Sequence, residues 1–216
     1  MNAGRLALAA VAGSLVLAAA ATSAPSIAAN SVFRVRPDLR MCPSPMCGGF
    51  FVSRVNRATT TCADGTVRAW CYVAGIDHAA PVRIRTQGAG RDGTFLLRGR
   101  IVRGTAESRS LGRLIATAEW IAATPAPWSG TVYLVIDTGV RCIRAPCFSL
   151  RTATVNTTRT ASASGLELSI VAAPPAIVRK AQTALTTGGL LVAGTTRRDA
   201  DGGRTVVAAQ FFFAAG

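Results

Sequence analysis

Cys42-Pro-Ser-Pro-Met-Cys47-Gly-Gly-Phe-Phe-Val-Ser-Arg-Val-Asn56 is answered one hundred residues later by Cys142-Ile-Arg-Ala-Pro-Cys147-Phe-Ser-Leu-Arg-Thr-Ala-Thr-Val-Asn156. Each stretch opens with a Cys pair enclosing four residues, Pro among them, and closes on Asn nine residues after the second Cys. Upstream, Val32, Phe33 and Val35 return as Val132, Tyr133 and Val135. Near the end of each half, Gly112-Arg-Leu-Ile-Ala-Thr-Ala-Glu-Trp120 returns as Gly203-Arg-Thr-Val-Val-Ala-Ala-Gln-Phe211. Self-similarity over such a span predicts two copies of one structural unit. Copy one is placed at 31–124, a Pro-rich linker at 125–130 and copy two at 131–216. A copy of about ninety residues is a marginal size for a separate core, so 31–216 is expected to pack as one compact unit.

Within the copies, alternation of apolar and polar residues marks short strands. The clearest are Phe50 to Asn56, Thr94 to Val102, Tyr133 to Ile136, Leu190 to Gly194 and Thr205 to Phe213. Leu114 to Ile121 also reads as a strand, although an Ala-rich run suits a helix too. Ala176 to about Thr186 reads as a helix, bracketed by Pro174-Pro175 and Gly188-Gly189. Its counterpart in copy one starts at Ala79-Ala80-Pro81, at an offset of 93 rather than 100. The predicted class is therefore α+β: two tandem repeats of mainly antiparallel strands with about one helix each and disulfide-stapled loops. The register shift falls in the hairpin around Asp64-Gly65, which carries Cys62 and Cys71. That hairpin is private to copy one and is a candidate for function, against the plainer reading of a surface hairpin stapled for stability.

Residues 1–28 read as a signal peptide. Arg5 gives a positive start, Leu6 to Ala21 is apolar, and Ser26-Ile27-Ala28 fits a small-x-small cleavage site, with Ala19-Ala20-Ala21 as a second candidate. The expected location is secreted or periplasmic, at the cell envelope. Six cysteines in an exported chain read as three disulfides. Spacing favours local pairs, Cys42–Cys47, Cys62–Cys71 and Cys142–Cys147, over a bond between copies such as Cys42 to Cys142. Zinc is disfavoured because its ligands usually sit closer together, and no metal or other cofactor is expected.

The pattern carries a resemblance. Residues 42–56, Cys-Ala-Asp-Gly at 62–65, Cys-Tyr-Val-Ala at 71–74 and Arg-Cys-Ile-Arg-Ala-Pro-Cys-Phe-Ser at 141–149 resemble a bacterial secreted domain family of unknown function. The resemblance spans nearly the whole mature chain. It implies a bacterial exported protein and brings with it no assigned chemistry and no catalytic residues.

The chain is poor in groups that do chemistry. His78, beside Asp77, is its one histidine, and Gly-x-Ser-x-Gly is absent. Glu119 aligns with Gln210, which argues against a catalytic acid shared by the copies. Asp199-Ala-Asp201 reads as a turn and not as a calcium loop. Asn156-Thr157-Thr158 matches a glycosylation sequon that Asn56 lacks, so the shared Asn reads as a strand-end or turn residue. Arginine is the exception to this poverty: 23 Arg and one Lys give a net charge of +14. Arg34 and Arg36, Arg83 and Arg85, and Arg98 and Arg100 are each two apart, a spacing that puts both members on one face of a strand. If the three pairs share a sheet face they form a basic surface for anionic envelope or extracellular polymers, against the alternative of solvated faces in an Arg-biased proteome. No nucleic-acid motif accompanies the charge. The leading expectation is a non-enzymatic binding or structural module. The alternatives are an inhibitor or protein-recognition domain presenting loops 42–47 and 142–147, with Met46 and Arg144 as contact residues, and an undetected hydrolase using His78.

Overall fold

The computed structural model describes residues 30–43, 46–79, 94–104 and 111–215. The first twenty-nine residues, including the expected signal peptide, lie outside them, as do Arg83 and Arg85. The first half contributes β1 (Ser31–Pro37), β2 (Phe50–Arg54), β3 (Thr60–Thr61), β4 (Val67–Arg68), β5 (Cys71–Val73), β6 (Ile76–His78), β7 (Phe95–Val102) and β8 (Arg113–Ala122). The second half contributes β9 (Thr131–Asp137), β10 (Leu150–Thr154), β11 (Thr160–Ala163), β12 (Gly165–Glu167), the helix α1 (Pro175–Thr187), β13 (Leu190–Arg198) and β14 (Arg204–Ala214).

Apart from the small β3–β4 hairpin, these strands form one sheet in the order β11-β10-β9-β13-β14-β8-β7-β1-β2-β5. The order reads the same from either end, because β9, β10, β13 and β14 match β1, β2, β7 and β8. The antiparallel β14–β8 pair joins the halves, with Phe212 opposite Ala122 and Phe213 opposite Ile121. β6 lies parallel to β8, as β12 lies parallel to β14.

The expected α+β class with about one helix per copy is overturned. The protein is mostly β, and α1 is the one α-helix among the described residues. The physical reason is that the sheet claims the ambiguous stretches. The Ala-rich run in β8 pairs with β7 along one side and with β6 and then β14 along the other, and paired ladders outweigh local propensity. The stretch aligned with α1 in the first half falls almost wholly within 80–93, outside the described residues. α1 itself starts at Pro175, where a missing N–H costs nothing, and buries Ala181 with Ile177, Val178 and Leu185 against the Tyr133–Leu190–Phe211 core.

Each half has its own core on one face of the sheet. Phe33, Val52, Val73, Leu97 and Leu114 form one, and Val135, Leu150, Val192, Val206 and Phe211 form the other. The opposite face holds a third core drawn from both halves: Val32, Val55 and Leu96 meet Val132, Leu191 and Phe212, with Trp128 of the linker among them. This shared core shows that the sheet is rolled. Five inter-strand steps separate β1 from β9 along the sheet, about 24 Å if it were flat, yet the starts of these strands are bridged by hydrogen bonds through single side chains. Bulges at matching places sharpen the roll. The register slips between Arg98 and Gly99 on β7 and between Ala193 and Gly194 on β13. Both glycines are required there, since a Cβ would lie 2.2 Å from the Ile115 carbonyl oxygen or 2.0 Å from that of Val207.

The disulfides join Cys42–Cys47, Cys62–Cys71 and Cys142–Cys147. They close loops at the far ends of β1 and β9 and tie the hairpin of β3 and β4 to β5. Disulfides of this kind belong to an extracellular or otherwise oxidising compartment.

Candidate anion-binding groove

The seam where the rolled sheet meets itself is closed by two asparagines. Asn56 and Asn156 each end a strand in the left-handed region, at φ 58° and 59°, a conformation that Asn tolerates better than most residues. From there each side chain reaches into the opposite half. Asn56 Nδ2 donates to the carbonyls of Val132 (2.7 Å) and Val155 (2.9 Å), and its Oδ1 accepts from Val132 N–H (2.8 Å). Asn156 Nδ2 donates to Val32 (2.7 Å) and Val55 (2.9 Å), and its Oδ1 accepts from Val32 N–H (2.8 Å). Each side-chain amide pairs with the opposite backbone as a peptide group would, so the seam is bridged without a continuous strand ladder. The Asn156 nitrogen that a sequon would offer for glycosylation is thereby already engaged.

Over this seam lies a cleft of about 700 Å³, floored by Val32, Leu134, Val155 and Leu191. Arg54, Arg57, Arg98 and Arg159 line it, and among the described lining residues none is Asp or Glu. A second cleft of about 700 Å³ shares Asn56, Thr154, Thr157, Thr158 and Arg159 with it and adds Arg204. Its Tyr133 and Thr152 belong to the face of the Val135–Phe211 core, whereas the first cleft opens on the face of the shared core, so the two meet around the Thr154–Arg159 turn.

No carboxylate among the described residues lines this groove, and five of the described carboxylates are committed to other arginines. Asp38 holds Arg40 (2.8 Å), Asp137 holds Arg141 (2.8 Å), Asp77 holds Arg113, and Glu167 and Asp199 both hold Arg197. In the first three pairs the guanidinium hydrogen bond keeps the carboxyl below its ordinary pKa. Arg54 is in the opposite situation. Its Nε is buried with no hydrogen-bond partner among the described residues, and burial, together with the nearby Arg57 charge, pushes the guanidinium pKa down. Arg57 donates from Nε (2.9 Å) and Nη2 (2.6 Å) to the Asn156 carbonyl, which draws it across the seam.

The sequence-derived arginine pairs are placed differently. Arg34, Arg36, Arg98 and Arg100 share one sheet face with Val32 and Leu96, as their spacing predicts. Arg34 lies over the Trp128 ring (4.7 Å), and Arg36 lies between Trp70 (4.7 Å) and Phe51 (5.0 Å). Trp70 comes from the hairpin private to the first half, so one thing that hairpin does is cover Arg36. Of the six residues, Arg98, which lies over Trp120 at 5.8 Å, also lines the groove. Sequence reasoning missed Arg54, Arg57, Arg159 and Arg204. The available signal was proximity to the shared Asn, since Arg54 and Arg57 flank Asn56 and Arg159 follows Asn156 by three.

His78 is exposed at the end of β6, and its neighbour Asp77 is forked by Arg113. Asp199 and Asp201 stabilise their own turn, accepting from Thr205 Oγ1 (2.7 Å) and Gly203 N–H (2.9 Å). Met46, Arg144 and the fully exposed Ile143 project from the Cys loops, away from the seam. No curated protein and no solved structure matches the chain. A family model covers residues 31–215, from the first strand to the end of the last, and the chain belongs to that family, a domain of unknown function, DUF6748.

Proposed function

We propose that this protein is an exported, non-catalytic module that binds anionic polymers at the cell envelope through the groove over the Asn seam. The observation that supports this reading best is Arg54, a partly buried guanidinium beside Arg57 with an unpartnered Nε and no carboxylate among the described residues that line its cleft. Burying an unpaired charge is unfavourable, and an anionic ligand in the groove offsets that cost with charge-assisted hydrogen bonds. Four arginines around this cleft supply such bonds together.

The test is titration of the purified protein with a labelled polyanion at several salt concentrations. Arg98→Ala and Arg159→Ala should each weaken binding by roughly tenfold, the worth of one charge-assisted hydrogen bond, whereas Arg144→Ala on the distant Cys loop should not. Affinity that ignores ionic strength, or that survives loss of both groove arginines, defeats the proposal.

A second reading, recognition of a protein partner by the Cys loops, has one observation in its favour: Met46 is exposed and Ile143 fully exposed on disulfide-closed loops. Inhibition of a secreted protease that is lost in Arg144→Ala or Met46→Ala would establish it in place of the groove.

A further inference from the structure

The groups between the groove arginines narrow the class of polymer, an inference that rests on the anion-binding reading above. Guanidiniums only donate, so a lining of guanidiniums alone would suit a ligand that only accepts, such as a polyphosphate. This groove adds hydroxyls. Thr154 is half-buried in its wall, Thr158 is exposed along it, and neither hydroxyl has a partner among the described residues. Each can donate and accept, which matches the hydroxyls of a sugar. The first cleft, of about 700 Å³, sets four arginines and the Thr154, Thr157 and Thr158 side chains around one space, which fits a ligand bearing several groups and not a single oxyanion. Single-stranded nucleic acid binds by stacking bases on a succession of aromatic faces. Here the aromatic lining is Trp120, which already carries Arg98, and Tyr133.

We infer that the groove takes a segment of an acidic polysaccharide, its anionic groups on the arginines and its hydroxyls on the threonines. Fluorescence anisotropy of the purified, disulfide-bonded protein tests this with three labelled probes at one ionic strength: a polygalacturonate oligomer, a polyphosphate of equal charge and oligothymidylate. The galacturonate oligomer should bind tightest. The pair Thr154→Val, Thr158→Val should weaken it about tenfold, the equivalent of two ordinary hydrogen bonds, while changing polyphosphate binding less than about twofold. The pair Arg98→Ala, Arg159→Ala should weaken both. Polyphosphate or oligothymidylate binding as tightly as the saccharide, or a threonine pair that loses nothing on it, overturns the saccharide inference and leaves anion binding standing. An arginine pair that loses nothing on any probe overturns the anion-binding reading itself. Should the threonine pair fold poorly, the exposed single substitution Thr158→Ala carries the same test at about threefold.

Discussion

Replacing either seam asparagine should destabilise the whole protein, and the amount can be worked from the contacts. In Asn56→Ala, three hydrogen bonds to the second half are lost, two at carbonyls and one at an N–H. At about 1 kcal/mol each this is about 3 kcal/mol. The residue also sits at φ 58°, where Ala is less tolerated than Asn, adding about 1 kcal/mol. The expected loss is about 4 kcal/mol, and Asn156→Ala should match it because its contacts are the same in kind and length. A domain of this size loses about 2–4 °C in Tm per kcal/mol, so each variant should melt roughly 8–16 °C lower. Two further substitutions separate the causes. Asn56→Gly removes the hydrogen bonds but not the backbone fit and should cost about 3 kcal/mol. Asn56→Asp keeps the acceptor but turns a charged oxygen toward two carbonyls, and at pH 7 should cost at least as much as Ala. The assay is urea unfolding followed by circular dichroism, with the midpoint and slope fitted together. An Asn56→Ala loss below about 1 kcal/mol, or Asp tolerated as well as Asn, would refute the idea that these amides hold the seam.

Gly99→Ala and Gly194→Ala drive a Cβ into a backbone oxygen at 2.2 and 2.0 Å, so each should cost at least about 3 kcal/mol or prevent folding, and urea midpoints within error of the unmodified protein would contradict the bulge geometry. Phe212→Ala opens a cavity in the core shared by the halves and should cost about 3–5 kcal/mol in a single transition; two separate transitions in calorimetry would show that the halves unfold independently. Asp38, Asp77 and Asp137 have carboxyl pKa values depressed by Arg40, Arg113 and Arg141. Their contribution is fully present above the ordinary value of about 3.9 and is lost as pH falls through the lower folded values. Stability should therefore be flat from neutrality to about pH 5 and fall below about pH 4, with a shallower fall in Asp77→Asn; a loss centred near pH 6 would point to a different group.

What could be read from the chain was what local chemistry sets. The Cys pairs close short loops, Pro174-Pro175 and Gly188-Gly189 bracket α1, and alternation marks β2, β7, β9 and β14, because each signal lies within a few consecutive residues. Long-range pairing was not legible in the same way. Nothing in Trp120-Ile121-Ala122 states that its partner is Phe212-Phe213-Ala214, ninety residues on. Without that pairing the halves read as two packed α+β repeats instead of one rolled sheet. The groove was hidden for the same reason. Arg54 and Arg159 each stand alone in sequence, and only the roll brings them to one cleft, whereas the i, i+2 arginine pairs were conspicuous but mostly lie against Trp128, Trp70 and Phe51. The shared Asn was legible as a strand-end residue. Its reach across the seam follows only once the sheet is known to curl.

The seam also bears on why a binding groove would sit where the halves differ. The asparagines are the same in both halves because both must imitate a peptide group, so they carry no asymmetry. The residues flanking them do. Arg54 and Arg57 stand where the second half has Thr154 and Thr157, and Ala58 stands where it has Thr158. Two identical halves would set Arg54 and Arg57 against a second such pair around the asparagines. Burial already lowers the Arg54 pKa, and the repulsion from Arg57 that adds to it would then grow, with no carboxylate among the described lining residues to relieve it. Replacing one pair by threonines keeps the cationic wall and makes the facing wall hydroxylic. On the saccharide proposal, this division sets cations on one wall and hydroxyls on the other, and two unequal halves in one chain supply it directly.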